Sequence, residues 1–254
     1  MEVHAHTHTE RKKWTHYLWE FFMLFLAVFC GFLAENQREH FVEKKKEQDY
    51  IKLLIEDLQA DTAIIHDNIP EMKQCERGLD TLISETYSYL QGKADTRLMY
   101  YTYHHYLRNW IDVVLSQRTI TQLKSSGNMR LIHDKKAAKI IMGGEVFFQE
   151  FEDRTRMYKL RQEDASIFGL KIFDFKEYQK ANINPDGSYN PDEEGFLKLN
   201  YQPALNITDP VYLKEFAARV GYYHNTLDAY ISDLQATIKG IEDSINELKK
   251  NYKL

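Results

Sequence analysis

The hydrophobic positions of this chain form one continuous run near the N-terminus and long helical stripes after it. Residues 17–34 read YLWEFFMLFLAVFCGFLA and hold a single charged side chain, Glu20. A bilayer core needs about 20 apolar residues, and the run approaches that length when it is counted from Trp14. The aromatic residues at its start then lie where a membrane interface would be. The pattern predicts a transmembrane signal-anchor helix over residues 17–34, preceded by a short basic, His-rich tail (residues 1–16).

A cleaved signal peptide is the alternative interpretation of this run. The basic triplet 11–13 and the short apolar core both suit one. Cleavage after Ala34, however, would place the bulky Phe32 where a small residue is needed. Good helix formers follow the run, so we expect an uncleaved anchor. Basic residues flank the run on both sides, and the short tail favours a cytoplasmic N-terminus with the rest of the chain outside the cytoplasm.

One face of the predicted anchor combines small residues with an acid. The stripe consists of Glu20, Ala27, Gly31 and Ala34, and Cys30 forms a second small pair with Ala34. Small residues one turn apart let helix backbones approach closely in lipid, and an acid is less costly against another helix than against lipid. These five residues are therefore predicted to form a helix–helix interface. Alternatively, Glu20 extends toward the headgroups and the small residues are incidental.

Two long apolar stripes follow the anchor. The first comprises Ile51, Leu54, Leu58, Ile65, Ile69, Met72, Leu79, Leu82 and Leu90. The second comprises Leu213, Phe216, Val220, Tyr223, Leu227, Tyr230, Leu234, Ile238, Ile241, Ile245 and Leu248. Both have the spacing of amphipathic helices. The first helix is expected to kink or break at Pro70. The second is expected to begin at Pro210 and to reach as far as Lys253.

Shorter helices are predicted between the two stripes. Their expected ranges are Thr96–Trp110, a short helix after Ser116 that ends at Gly127, and about Asp134–Phe168. Residues 177–208 are rich in turn-forming residues and are predicted to be an irregular loop. The predicted fold is all-α: a transmembrane helix that continues into a soluble bundle of long helices (residues 35–254) with antiparallel, coiled-coil-like packing.

Composition narrows the choice of partners. The 33 basic and 38 acidic residues give a formal net charge of −5, which provides no electrostatic basis for nucleic-acid binding. The two cysteines, Cys30 and Cys75, are too few for a disulfide framework. Lys44–Lys46 could attract anionic headgroups, but interleaved glutamates favour a solvated helix. The expected partners are membrane lipid and either further copies of this chain or other membrane-protein subunits.

Three segments of the chain resemble one bacterial family. They are the N-terminal RKKWTHYLWEFFMLFLAVFCGFLAENQREH, the central LKSSGNMRLI (Leu123–Ile132) and the C-terminal TDPVYLKEFAARVGYYHNTLDAYISDL. They are similar to a group of single-span membrane proteins of Bacteroidota that contain a domain of unknown function with the LKSSG phrase. The likeness covers most of the chain and is weakest over 170–208. It implies an inner-membrane protein with a periplasmic helical domain, and it implies no activity.

Two short patterns have the side chains of a metal site. A loop resembles a calcium-binding EF-hand at its ligand positions, which are Asn182, Asn184, Asp186, Asn190 and Glu193. Its first ligand is Asn where the pattern has Asp, and turn chemistry alone explains the sequence Pro-Asp-Gly-Ser. The alternating His4, His6 and His8 could hold a transition metal, although a flexible tail makes a weak site.

Other features favour structural roles. His104 and His105 diverge on a helix and lie among tyrosines, which favours packing over catalysis. The LKSSG phrase could be a recognition loop, but it reads more simply as a helix end at Gly127. The chain has no G-x-S-x-G, H-E-x-x-H, P-loop or dinucleotide motif. We therefore expect no catalysis and no cofactor.

The sequence thus favours a membrane-anchored scaffold or interaction protein that self-associates or joins a membrane complex. Two alternatives remain open. In the first, Glu20 lines the axis of an oligomeric channel or transport component. In the second, residues 177–208 form a sensory or ligand-binding module.

Overall fold

A computed structural model describes residues 14–183, 186–188 and 193–254. Within these ranges the chain is mainly helical, and an isolated antiparallel bridge joins Phe173 and Leu205. The helices are α1 (Trp14–Leu90), α2 (Thr96–Thr102), α3 (Arg118–Ser125), α4 (Lys135–Gly169), α5 (Phe175–Asn182) and α6 (Pro210–Tyr252). A π-helical turn spans Tyr103–Leu107, and 3-10 turns span Asn128–Leu131 and Glu193–Lys198. The all-α prediction is confirmed.

The chain divides into two compact units, Met1–Tyr50 and Ile51–Leu254. In the described part of the first unit, α1 exposes its apolar side chains, and none of its most apolar 18-residue window is buried. The rings of Phe21, Phe25 and Phe29 stack along one side, with successive centroids 6.4 and 5.9 Å apart. This segment is long and apolar enough to cross a membrane, which is compatible with a single-pass membrane protein.

The core of the second unit lies between residues 51–90 of α1 and the helices α4 and α6. The Tyr223 hydroxyl on α6 lies 3.9 Å from Cys75 Sγ on α1 and donates to the Tyr158 hydroxyl on α4 at 3.3 Å. All three side chains are buried. Farther along, Gln59 of α1 and Ile245 of α6 line one shallow depression. Because early residues of α1 meet late residues of α6, the two helices are antiparallel, as the apolar stripes predict.

Helix α6 also runs antiparallel to α4. Asp164 near the end of α4 pairs with Arg219 near the start of α6 at 2.6 Å. At the opposite ends of the two helices, Lys136 forms an ion pair with Glu247. The second unit is therefore organised around three long helical segments. Whether their contacts follow a coiled-coil pattern stays a prediction.

Aspartate side chains cap the N-termini of α4 and α6 at the positions that the sequence predicts. The Asp134 carboxylate accepts a hydrogen bond from the Ala137 amide at 2.7 Å, and the Asp209 carboxylate accepts one from the Val211 amide at 2.7 Å. Each bond satisfies an amide that has no partner within the helix. Pro210 occupies the first turn of α6, and the helix ends at a left-handed Lys253. The predicted bounds of α4 and α6 are correct within a residue.

Two predicted helix boundaries differ from the structure. Thr96–Trp110 was expected to be one helix, but α2 gives way to the π-helical turn after Thr102, and Trp110 is 58 % exposed. Helix α1 is not interrupted at Pro70. The segment 177–208, predicted as an irregular loop, contains the end of α5 and a 3-10 turn.

Candidate functional site

Two acids one turn apart on α1 are buried in the second unit. Asp57 is 4 % exposed and accepts hydrogen bonds from the backbone amide (3.1 Å) and the hydroxyl of Thr119. It also forms an ion pair with Arg118, whose guanidinium is largely exposed. Three donors, one of them charged, thus satisfy this carboxylate and hold the start of α3 against α1.

Asp61, by contrast, is incompletely satisfied. It is only 1 % exposed, and its Oδ1 accepts a hydrogen bond from the Ser116 amide at 2.7 Å. Its Oδ2 has no hydrogen-bond partner among the described residues. Burial raises the pKa of this carboxyl to about 6, the Ser116 bond opposes that rise, and the charge of Asp57 adds to it. A buried carboxylate with an unpaired oxygen is destabilising and is typical of functional sites.

A cavity of about 440 Å³ lies beside Asp61, between α1, α3, α4 and α6. Its walls are mainly apolar: Leu54, Leu58, Ile120, Ile140, Phe147, Phe148, Ala236 and Ile241. Asp61 forms part of the wall, and the polar residues Thr237 and Ser244 line the side formed by α6. This size and this mixture of a mainly apolar wall with a few polar groups match small-molecule sites.

Small residues create this space. Gly143 and Gly144 lie within α4, and Gly240 lies within α6, although glycine weakens a helix interior by about 1 kcal/mol relative to alanine. A Cβ on Gly143 or on Gly240 would meet no atom within 4 Å, whereas one on Gly144 would lie 2.8 Å from Ile120 Cδ1. Gly143 and Gly240 therefore border open space, while Gly144 allows close packing of α4 on α3.

An ion pair between α4 and α6 also lines the cavity. Arg154 and Asp233 are 3.4 Å apart, and each side chain is about half exposed. Because these two charges compensate each other, Asp61 is the uncompensated acid of the lining. The wall therefore combines apolar surface with one buried group that attracts a hydrogen-bond donor or a cation.

Asp57→Asn tests whether the neighbouring acid serves the structure. We expect the free energy of unfolding to fall by about 1–2 kcal/mol, because the amide replaces one acceptor oxygen with a donor that competes with Arg118 and Thr119. Denaturant unfolding of the full chain in mild detergent would measure the change. Glu152→Gln is the control, because this exposed acid accepts a bond only from the exposed Gln117. Equal stability of the two variants would contradict a structural role for Asp57.

The half-buried His104 lies in an aromatic cluster, as the tyrosine-rich sequence predicts. The His104 ring packs parallel to the Phe196 ring at 5.3 Å between centroids and contacts Tyr178 at 4.3 Å. Burial lowers the pKa of His104 to about 3, and the nearby Arg108 adds to that shift. The neutral imidazole therefore acts as a packed aromatic ring at physiological pH.

The residues predicted for the membrane interface all lie on α1 and are exposed. The Glu20 carboxylate lies 3.7 Å from His16 Nε2, one turn earlier. A Cβ on Gly31 would meet no atom within 4 Å, and Cys30 is exposed. On a regular helix the stripe Glu20, Ala27, Gly31 and Ala34 lies roughly opposite the stacked phenylalanines. This half of α1 thus has a small face and a bulky face.

The metal predictions remain open. His4, His6, His8, Asn184 and Asn190 lie outside the described residues, as does the side chain of Glu193. Among the described residues, the Asp186 carboxylate accepts bonds from the Ser188 amide at 2.9 Å and the Ser188 hydroxyl at 2.6 Å. Asn182 ends α5 and donates to the Tyr178 carbonyl oxygen. These bonds are the turn and helix-end chemistry considered as the alternative to a calcium site.

The LKSSG phrase forms a helix end. Helix α3 finishes at Ser125, and Gly127 has a φ of 67°, a left-handed conformation that favours glycine. The Ser126 hydroxyl donates to the Gln122 carbonyl oxygen at 2.6 Å, which satisfies a free acceptor of the last turn. The structural interpretation of this phrase is confirmed. Whether the phrase is also a recognition loop stays a prediction.

Asp61 was not predicted from the sequence, although the apolar pattern contains a signal for it. The first apolar stripe steps by seven residues from Leu58 to Ile65, where steps of three and four would place another core residue. Asp61 occupies that missing position. An acid at a core position of an amphipathic helix is a recognisable candidate for a buried functional group.

Comparison with known proteins adds no assignment. No protein-family model, no curated protein and no solved structure matches this chain. The resemblance to single-span membrane proteins of Bacteroidota therefore stays a prediction.

Proposed function

We propose that this chain is a non-catalytic, membrane-anchored scaffold. Its N-terminal helix associates with other membrane helices, either further copies of itself or subunits of a larger complex. Its helical domain lies on the periplasmic side of a bacterial inner membrane, with the N-terminus in the cytoplasm. The observation that carries this proposal is the exposed apolar half of α1, where small residues and a bulky phenylalanine ridge occupy different faces.

The two faces suit different neighbours. Stacked phenyl rings provide a broad apolar surface for lipid tails. Ala27, Gly31 and Ala34 allow a second helix to approach the backbone closely, which increases van der Waals contact in lipid, where the hydrophobic effect no longer drives association. Glu20 is more favourable against a polar group of another helix than against hydrocarbon. The same face thus combines close packing with one directional polar contact.

Gly31→Leu is expected to weaken self-association by at least about tenfold, because the added side chain keeps the two backbones apart. The experiment measures particle mass as a function of protein-to-detergent ratio, by analytical ultracentrifugation of the full chain. Phe25→Leu is the matched control on the opposite face, and it should leave the association constant unchanged. A tagged chain extracted gently at natural expression level should also retain further copies or partner subunits.

Two results would overturn the scaffold proposal. A lone monomer in mild detergent, without any co-purifying subunit, would remove the helix–helix interface. Equal weakening by Gly31→Leu and Phe25→Leu would show that the small face has no special role. Glu20→Gln, tested in parallel, separates the polar contribution from the packing contribution of that face.

A further inference from the structure

We propose that the cavity between α1, α3, α4 and α6 is a binding site for a small hydrophobic amine, whose ammonium group pairs with Asp61. This inference concerns the helical domain and is independent of the proposed membrane association. It rests on the shape of the cavity, on the nature of its wall and on one unpaired buried atom.

The unpaired oxygen of Asp61 indicates which chemical group of a ligand this cavity would bind. Asp61 Oδ2 accepts no hydrogen bond within the described residues, whereas Oδ1 is held by the Ser116 amide. The side chain is therefore held in place by one oxygen, while the other is closed off from solvent without a partner. A carboxylate oxygen accepts hydrogen bonds and attracts positive charge, so a ligand amine satisfies it both as a donor and as a cation.

The surrounding charges favour a cation over an anion. Asp57, one turn away on α1, is already paired with Arg118 and hydrogen-bonded by Thr119. The lining cation Arg154 is paired with Asp233 at 3.4 Å. Asp61 therefore leaves a local negative charge in a mainly apolar wall, and a carboxylate ligand would be repelled.

The apolar wall identifies the rest of the ligand. Two phenylalanines and several aliphatic side chains surround a volume of about 440 Å³, which fits a ring or a short alkyl chain. Gly143, Gly240 and Ser244 also line the cavity, and the two glycines are exposed, so they leave its side toward solvent without a covering side chain. Burying the apolar body of the ligand contributes roughly 25 cal/mol per Å² of surface removed from water.

The test uses three probes of similar shape and different charge: 2-phenylethylamine, 3-phenylpropan-1-ol and 3-phenylpropanoate. Isothermal titration calorimetry is performed on the full chain in lipid nanodiscs, with empty nanodiscs as the reference for partitioning into lipid. We expect saturable binding in the order amine, alcohol, carboxylate, with no binding of the carboxylate up to about 10 mM.

Two variants assign the binding to this cavity. Asp61→Asn should weaken amine binding by about tenfold or more while changing alcohol binding much less, because only the amine needs the charge. Gly240→Leu should abolish binding of both by filling the space. Glu152→Gln is the control, since this exposed acid on α4 does not line the cavity and the change should leave the preference for the amine intact.

Several outcomes would overturn the proposal. They are a lack of saturable binding by all three probes, a preference for the carboxylate, and amine binding that Asp61→Asn leaves unchanged. The circular dichroism spectrum of each variant should match the parent, which shows that lost binding does not reflect lost structure. None of these results depends on whether the anchor self-associates.

Discussion

Replacing Gly169 with alanine is expected to lower the free energy of unfolding by about 3 kcal/mol. Gly169 is the last residue of α4, and a Cβ there would lie 2.2 Å from Tyr103 Cε2 and 2.8 Å from Tyr103 Cζ. Real side chains do not approach so closely, so either the ring or the helix end has to move.

The ring of Tyr103 has little freedom to move. It is fully buried, it stacks on Phe173 at 4.2 Å between centroids, and its hydroxyl donates to the Ser166 carbonyl oxygen at 2.8 Å. Moving the ring would break that bond and disturb the stack. Moving the end of α4 instead would displace Phe173, which follows in the chain. Both responses disturb the densely packed aromatic cluster, where overpacking is costly.

Gly143→Ala is the matched control, because it makes the same chemical change within the same helix. A Cβ at this position meets no atom within 4 Å, so the variant should gain up to about 1 kcal/mol from higher helix propensity. Both variants are compared with the parent by denaturant unfolding in mild detergent, followed by far-ultraviolet circular dichroism. If the two changes had effects of the same sign and size, the close contact at Tyr103 would not be the cause.

The sequence predicted the long helices well because their signals are repeated many times. Each turn of α6 contributes an apolar residue to one stripe, and Asp209 with Pro210 marks its start. The glycine at 127 gives an equally direct signal, since its left-handed conformation ends a helix. Such local rules need no knowledge of the rest of the fold.

The π-helical turn after α2 could not be predicted in the same way. Its backbone bond from the Arg108 amide to the Tyr103 carbonyl oxygen spans five residues, which inserts an extra residue into the turn. The helical segment then ends at Leu107, so Trp110 lies beyond it and is exposed, although its spacing from Tyr103 suits an α-helical stripe.

The candidate site was missed for a different reason. Asp61, Gly143 and Gly240 come from three helices, and no sequence spacing indicates that they line one cavity. A charged residue near an apolar stripe is usually solvated, so the structural burial of Asp61 is the decisive observation. The apolar segment at the start of α1, in contrast, is a local feature that composition alone predicts.

His104 and Asp61 are expected to affect stability in opposite directions below pH 7. The folded-state pKa of His104 is lowered to about 3 from an ordinary 6.5, mainly by burial and then by Arg108. The unfolded chain therefore binds the proton first, and stability is lost as the pH falls below 6.5. By pH 4 this loss amounts to about 3 kcal/mol.

Titration of Asp61 has the opposite effect on the free energy of unfolding. Its folded-state pKa is raised to about 6 from an ordinary 3.8, mainly by burial. The folded chain therefore binds the proton first, so stability increases as the pH falls through 6 and is lost again as the pH rises. Between pH 7 and pH 4 the gain is about 2 kcal/mol, which offsets most of the loss from His104.

Asp61→Asn is therefore expected to make the domain acid-sensitive while stabilising it at pH 7. Without a titrating group at residue 61, the variant should lose about 2 kcal/mol more stability than the parent between pH 7 and pH 4. His104→Phe should have the reverse effect. This variant should lose less stability than the parent between pH 7 and pH 4, because the loss that comes from protonation of His104 in the unfolded chain is removed. Denaturant unfolding of the parent and both variants at several pH values measures these differences in the free energy of unfolding. The contributions of groups that titrate in all three proteins cancel when the profiles are compared. Parallel pH profiles for the parent and Asp61→Asn would show that Asp61 is not buried as a charged group, and the electrostatic basis of the amine site would fail with it.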